Sequence, residues 1–353
     1  MAAPQVVAEP PLVAEDVVSF FGGVADEAQP APRAANQALT PGVTVGVCTF
    51  KRPAGLSRFL DSLRDHDYQP DSLVIVDASP DDATERMLRQ RADLGRLAKH
   101  LLYFRVRGQY DSLTAARNFA IRFVATDLVV FFDDDVVLLP HCIREMEQTH
   151  RAGGDQVVGV GAVADNQMTQ PTLHWRIRRW LGIVPSLRPG AYTRSGMSIP
   201  WDFLPRTEEV VEGQWLGGLA MMWKTAVARE VRFNERFANH SIGEDLDFGL
   251  RAGAHGKVLQ AGKARVLHLP ELSGRANAYM VGYTSVLNAY RIHQECLPKR
   301  TWLDTTRFMY AWGLDTLLQL VVLLRPGPRL QRWRFLRGRL WFFVQWFLKR
   351  GKV

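Results

Sequence analysis

The sequence predicts an α/β fold, a mostly parallel sheet flanked by helices in three layers, with a helical extension at the C-terminal end. Three observations predict it. Short β-branched runs alternate with helical patterns from Val43 onward, each run ends in polar residues, and beyond about Ser273 only helical periodicity remains. At 353 residues, 47% hydrophobic and 23% charged, the chain has the composition of a globular protein with ample core.

Residues 1–42 are rich in Ala, Pro, Val and Glu without periodic large apolar residues, and read as a disordered leader in which 16–21 forms a short docking element. The first strand is 43–48. A polar turn, Thr49-Phe50-Lys51-Arg52, ends it, and Pro53 opens a helix with Leu56, Phe59, Leu60 and Leu63 spaced by three and four. A strand at 72–77, a helix at 83–97, a strand at 100–106, a helix at 112–125 and a strand at 128–132 follow. Residues 146–210 lose the pattern and read as long loops. Further on come a strand at 217–223, a helix at 225–231, a helix at 244–254 closed by Gly256, and short strands at 257–260 and 264–269. No segment repeats at a fixed period.

Charge is distributed unevenly. Nine cations and no acid lie between Arg325 and Val353; subtracting that +9 from the overall +8 leaves −1 for the 324 residues before it. The pI of 9.6 therefore belongs to a tail suited to an anionic surface, not to a pocket for a small acid. No groove-reading motif accompanies the tail, which argues against nucleic acid. Cys48, Cys142 and Cys296 are odd in number and widely spaced, so a reducing cytoplasm is expected. The first residues lack a basic segment followed by an apolar run, so no secretory signal is expected.

Ligands of open parallel sheets sit beyond the carboxyl ends of the strands. Four features fall there: Thr49-Phe50-Lys51-Arg52, Asp77, Asp133-Asp134-Asp135 and His268. Asp77 suits ribose hydroxyls or a base edge, or equally a turn before Ser79-Pro80. In an extended segment Asp133 and Asp135 project to one side and Asp134 to the other. Two carboxylates converging after an apolar strand repel unless a cation lies between them, which predicts Mg²⁺ or Mn²⁺. Glu244, Asp245 and Asp247 fall in the first turn of a helix that Asn239 or Ser241 would lead into. Acids there complement the helix dipole, and the dipole in turn favours an ionised base. His268 is either a metal ligand or a hydrogen-bonded strand histidine. Lys51, Arg52 and Arg117 are candidates for base or phosphate contact or for plain solvation. Trp215 either stacks on a sugar or fills core.

These residues together resemble the family 2 glycosyltransferases of the GT-A fold, a Rossmann-like architecture, over about residues 43–270. The residues from Val45 to Pro53 are similar to the family's first strand and its T-Y/F-N/K-R turn, and Val74-Ile75-Val76-Asp77 to its nucleoside-binding strand. Leu113-Thr114-Ala115-Ala116-Arg117-Asn118 is similar to a G-x-x-x-A-R-N helix start, although Ser112 or Asp111 stands where glycine is frequent. Asp133-Asp134-Asp135 resembles the D-x-D element and Gly243-Glu244-Asp245 the E-D element. The resemblance implies donor binding by Thr49, Phe50, Lys51, Arg52, Asp77, Arg117, Asn118, Asp133 and Asp134. It implies Mg²⁺ or Mn²⁺ on Asp133, Asp135 and His268, and acceptor contact by Trp215, Gly217 and Glu244. Asp245 would be the base, supported by Glu244, in an inverting displacement from a nucleoside-diphosphate sugar, with uridine diphosphate the family's habit. A retaining transferase and a catalytically silent scaffold of the same fold are the rivals. A nucleotidyltransferase would open on a Gly-rich loop that Thr49-Phe50-Lys51-Arg52 is not.

The implied organisation is a leader (1–42), a nucleotide-sugar-binding half (43–145), an acceptor-binding half (146–270) and a basic, aromatic helical tail (271–353). Residues 308–324 are at the short limit for spanning a bilayer and carry Asp315, costly in hydrocarbon. Six arginines from Arg325 to Arg339 and the aromatic run 340–348 describe an interfacial helix, with 174–181 joining the same surface. The expected enzyme is peripheral at the cytoplasmic face of the membrane, acting on a lipid-linked glycan. The competing reading packs these helices on the domain or into a homodimer interface.

Overall fold

The computed structural model describes residues 16–22, 31–33, 37–237, 242–270, 277–324, 326–349 and 351. Its strands are β1 (Val17–Gly22), β2 (Thr40–Thr49), β3 (Ser72–Asp77), β4 (His100–Val106), β5 (Thr126–Asp133), β6 (Val136–Leu138), β7 (Val157–Ala164), β8 (Val210–Gly213), β9 (Ala220–Lys224) and β10 (Lys257–His268). The helices of the sheet layers are α1 (Pro53–Arg64), α2 (Ala83–Arg89), α3 (Leu94–Leu97), α4 (Leu113–Ile121), α5 (Cys142–Ala152), α6 (Leu173–Trp180), α7 (Thr225–Val231) and α8 (Glu244–Ala252). Three long helices close the chain: α9 (Ala278–Cys296), α10 (Trp302–Leu323) and α11 (Arg329–Leu348).

All strands join one sheet in the order β1-β4-β3-β2-β5-β9-β7-β10-β6, with β8 beside β10. β2, β3, β4, β5, β7 and β10 run one way and the others oppose them. The sheet crosses residue 146 without a break, so the two expected halves share one set of ladders.

Strand alternation builds two cores. Val45, Val47, Ile75, Val130 and Phe132 face α1 and α5, while Val74, Val76, Phe104, Val129 and Phe131 face α4, α7 and α8. Each large apolar side chain so buried is worth about 1.5–3 kcal/mol.

The short element expected at 16–21 takes definite form, and three other expectations change. Residues 17–22 of the leader form an edge strand, its Phe20 and Phe21 rings against Phe104 and Tyr103. The helix expected at 83–97 is two pieces parted at 90–93, where Arg91 turns inward to Asp61 and Asp93. The loops expected at 146–210 contain the wholly buried β7 and the helix α6. β7 is built of small residues because Trp223 of β9 fills the space: a Cβ at Gly159 would lie 2.4 Å from its ring. The two short strands at 257–269 are one, β10, with a register shift between Ala261 and Arg265.

The tail packs. Gly282 of α9 and Gly338 of α11 let the two helices touch backbone to backbone, since a Cβ at either would stand 2.0 Å from a carbonyl oxygen of the other helix. Asp315 on α10 is buried in a cluster with Arg178 of α6 at 2.6 Å and Arg339 of α11 at 2.8 Å. Against the push of burial, His174, Arg339 and Arg178 hold its carboxyl well below the usual range. The acid that argued against a bilayer core is thus the joint of three helices. Ala311 on α10 packs with Ile183, Val184, Met197, Ile199 and Phe203, so α10 carries the segment that walls the cleft described next.

Candidate active site

A cleft of about 330 Å³ opens at the carboxyl end of β5, between β7, β10 and the start of α8. Asp133, Glu244, Asp245, His268, Trp215 and Gly217 line it. A Cβ on Gly217 would meet nothing within 4 Å, so that backbone is open to a ligand.

The acids are placed by α8. Gly243 caps it at φ +85°, a left-handed conformation that favours glycine, and delivers Glu244 and Asp245 into the first turn. The expected lead-in residues Asn239 and Ser241 lie outside the described residues. Asp245 accepts hydrogen bonds from the Gly218 N–H at 2.9 Å and the Leu246 N–H at 2.8 Å. Burial nonetheless raises its carboxyl above the ordinary range, outweighing those amides and the helix N-terminus. Glu244 is raised too, by burial and then by the Asp245 carboxylate, against the pull of Arg117. The pair therefore holds its last proton more tightly than two exposed acids would.

Arg117 ties the site together. It is 2% exposed and donates to Glu244 at 3.0 Å, to Asp133 at 3.0 Å and to the Gly218 carbonyl at 3.1 Å. Its place on α4, entered through the Ser112 cap, makes it a brace between the β5 end and α8. The neighbouring Asn118 faces away from the cleft and clamps the loop at Phe233 and Glu235.

At the end of β5 the chain turns at Asp134 and Asp135 instead of continuing extended, so alternation does not set their directions. Asp134 is buried, accepting from the Thr49 hydroxyl at 2.7 Å and from Arg52 at 3.1 Å. Burial pushes its carboxyl up to about 6, against those two partners. Asp135 meets Arg52 at 3.3 Å and His268 Nε2 at 3.3 Å. The Gln167 carboxamide, 2.7 Å from His268 Nδ1, fixes the ring. The Asp135 hydrogen bond raises the imidazole above its usual value, so a positive charge is favoured where these groups meet.

Asp133, 33% exposed, is drawn to Arg117 instead. Among the described residues no three His, Cys, Asp or Glu side chains stand close enough to hold a metal by themselves. The expected set of Asp133, Asp135 and His268 is a pair with Asp133 beside it. Such a pair fits a hard divalent ion that takes its remaining ligands from phosphate and water.

The other candidates divide. Lys51 sits at φ +56° and its N–H donates to the Ser79 hydroxyl, holding the turn so that Phe50 is exposed and Lys51 Nζ lies 5.1 Å from its ring. Asp77 is wholly buried, accepting from the Ser79 N–H and the Tyr103 hydroxyl, as a turn aspartate does. Trp215 lines the cleft while Gly249 packs on its backbone. Gln260, Asp202 and Ser198 also line the cleft and were not singled out in the sequence. Gln260 lies within β10 and the other two in the segment before β8, so only the fold brings them together.

Residues 44–203 match the family described as Glycosyl transferase family 2. The chain carries a family 2 glycosyltransferase domain. No curated protein sequence matches the transferase. Among solved structures it is similar to the mannosyltransferase PcManGT from Pyrobaculum calidifontis in complex with GDP-Man and Mn²⁺. The identity is 13%, over 89% of this chain and 90% of that one, with a TM-score of 0.54. That likeness is one of fold, and the fold is GT-A. The transferase also aligns with S. aureus TarS at 15% identity, over 78% of this chain and 48% of that one, with a TM-score of 0.44.

Proposed function

We propose that this transferase moves a sugar from a nucleoside-diphosphate sugar to an acceptor hydroxyl, with inversion, at a membrane surface. The observation that carries the reading is the meeting of Asp245 with Glu244, Asp133 and His268 around one cleft. A single carboxylate oriented by two backbone amides suits a single displacement. The acceptor O–H gives its proton to Asp245 as the new bond forms, and the diphosphate departs. Arg117 holds Glu244 and Gly218, and the Gly218 N–H in turn orients that carboxylate. A divalent ion on Asp135 and His268, with Asp133 beside them, would supply charge to the departing diphosphate. The similar mannosyltransferase was captured with GDP-Man and Mn²⁺, which supports a nucleotide sugar and puts guanosine beside uridine as donor base.

Calorimetry with GDP, UDP and other nucleoside diphosphates, with and without Mn²⁺, tests the donor. One nucleotide is expected to bind only with Mn²⁺, and Asp135→Ala to weaken it at least tenfold. Absence of binding by every nucleotide to folded protein would sink the transferase mechanism in favour of a silent scaffold.

The membrane part of the reading rests on two exposed stripes. Tyr310, Leu317, Leu320 and Val321 recur at helical spacing along α10, with Leu324 at its end, and Leu330, Trp333, Trp341, Val344 and Phe347 recur along α11. Arg334 and Arg337 are exposed on the same helix as the second stripe, and the exposed Lys349 follows its end. Among the described residues no helix is long and apolar enough to cross a membrane, so the surface suits lying on one. Each cation near an anionic leaflet contributes about 1 kcal/mol. The protein is expected to sediment with phosphatidylglycerol-containing vesicles and not with phosphatidylcholine alone, and Trp333→Ser with Trp341→Ser to release it. Equal partition to both vesicle types would remove this part of the proposal. The acceptor that such a surface suits is a lipid-linked glycan.

A further inference from the structure

The cleft has a polar floor with no role in the displacement. Gln260 lies within β10, in parallel register with Gly161 of β7. It is 2% exposed, yet among the described residues nothing hydrogen-bonds its carboxamide, and the side chain lines the cleft that holds Asp245. The stem of the side chain is buried, and its amide meets the cleft, where a ligand can supply the hydrogen bonds that the protein does not. Gly161 keeps room for it. A Cβ there would stand 2.6 Å from Gln260 Oε1, so any other residue would press on the amide. The Ser198 hydroxyl and the exposed Asp202 carboxylate line the same cleft.

Amide, hydroxyl and carboxylate together offer donors and acceptors to a neutral polyhydroxylated ring. Among the described residues no cation lines that part of the cleft besides His268, so it suits the sugar better than the diphosphate. Ala162, Val163 and Met168 supply apolar wall against which the C–H face of a ring can lie. We infer that Gln260, with Ser198 and Asp202, forms a subsite for the hydroxyls of a pyranose, Gln260 setting which sugar is accepted. The inference rests on the proposed transferase function and names the groups that read the sugar. A site built to hydrogen-bond a hydroxyl rejects a ring that lacks it or points it elsewhere, because the buried amide is then left unpaired.

The pyranose is either the sugar being transferred or the acceptor's terminal sugar, and two series of measurements separate them. The first is calorimetry of GDP, GDP-mannose, UDP and UDP-glucose with Mn²⁺ on wild type and Gln260→Leu. The second is saturation-transfer NMR of octyl glucoside, galactoside and mannoside in the presence of the nucleoside diphosphate. A donor subsite predicts that Gln260→Leu binds the free diphosphate like wild type and the sugar nucleotide about tenfold more weakly. An acceptor subsite predicts unchanged sugar-nucleotide affinity and loss of the glycoside signal. Gln260→Leu indistinguishable from wild type in both series overturns the inference. If wild type binds no nucleotide at all, the transferase mechanism itself has failed, a result visible before any variant is made. Should Gln260→Leu not fold, Ser198→Ala carries the same two tests, with about a threefold effect expected and none overturning.

Discussion

Asp245→Asn is expected to bind nucleotide as wild type does and to lose transfer by about 10²–10⁴-fold in kcat, the usual worth of a general base. The substitution keeps the side chain's shape and removes its capacity to take a proton. One amide hydrogen bond, from Gly218 or Leu246, is sacrificed because the new NH₂ must face one of those donors. The loss should therefore fall on kcat with little change in donor affinity. A variant with kcat within about tenfold of wild type would remove Asp245 from the role. The pH profile gives an independent check. Both acids are raised by burial, so the base is protonated at low pH and becomes available as pH rises. The ascending limb of kcat/KM should lie above the ordinary carboxylate range. Glu244→Gln removes the neighbouring negative charge and should move that limb to lower pH. A limb that stays put would mean that Asp245 does not titrate there.

Arg117→Met should damage stability and activity together. The guanidinium is buried and joins Asp133, Glu244 and the Gly218 carbonyl. Removing one member of a buried ionic set costs about 3–5 kcal/mol, because the remaining charges lose compensation. Thermal melting should fall by roughly 10 °C. Glu244→Gln added to Arg117→Met should recover part of the loss, since one stranded charge is then gone. No recovery, or a fall of under about 2 °C, would mean that these carboxylates do not depend on Arg117.

The nucleotide-side strands were readable because their chemistry is local. β2, β3, β4 and β5 are runs of Val, Ile, Leu and Phe, buried on both faces and ended by polar residues, and so announce themselves in one dimension. β7 did not, since its residues are small to accommodate a tryptophan 64 positions away. The acidic residues were legible for the same local reason, yet their partners were not. That Asp134 spends itself on Thr49 and Arg52, or that Asn118 clamps Phe233, follows from contacts more than 80 residues apart. Gln260 was silent because nothing in a strand sequence separates an amide that faces a cleft from one that faces a neighbour.

If the exposed side of α10 lies on a bilayer as proposed, the helix would act as a ruler. One side of the helix carries Ala311 against Ile199 and Phe203, whose segment forms the cleft wall, and another side presents Leu317 and Val321 outward. With side chains an α-helix is about 10–12 Å across. An acceptor anchored in a bilayer under that outer side would be offered to Asp245 at a height set by one helix thickness plus the wall. Glycans too short to climb that step, or held flat against the lipid, would be passed over. Chain length on the acceptor would then be measured by packing alone, with no residue needed to count.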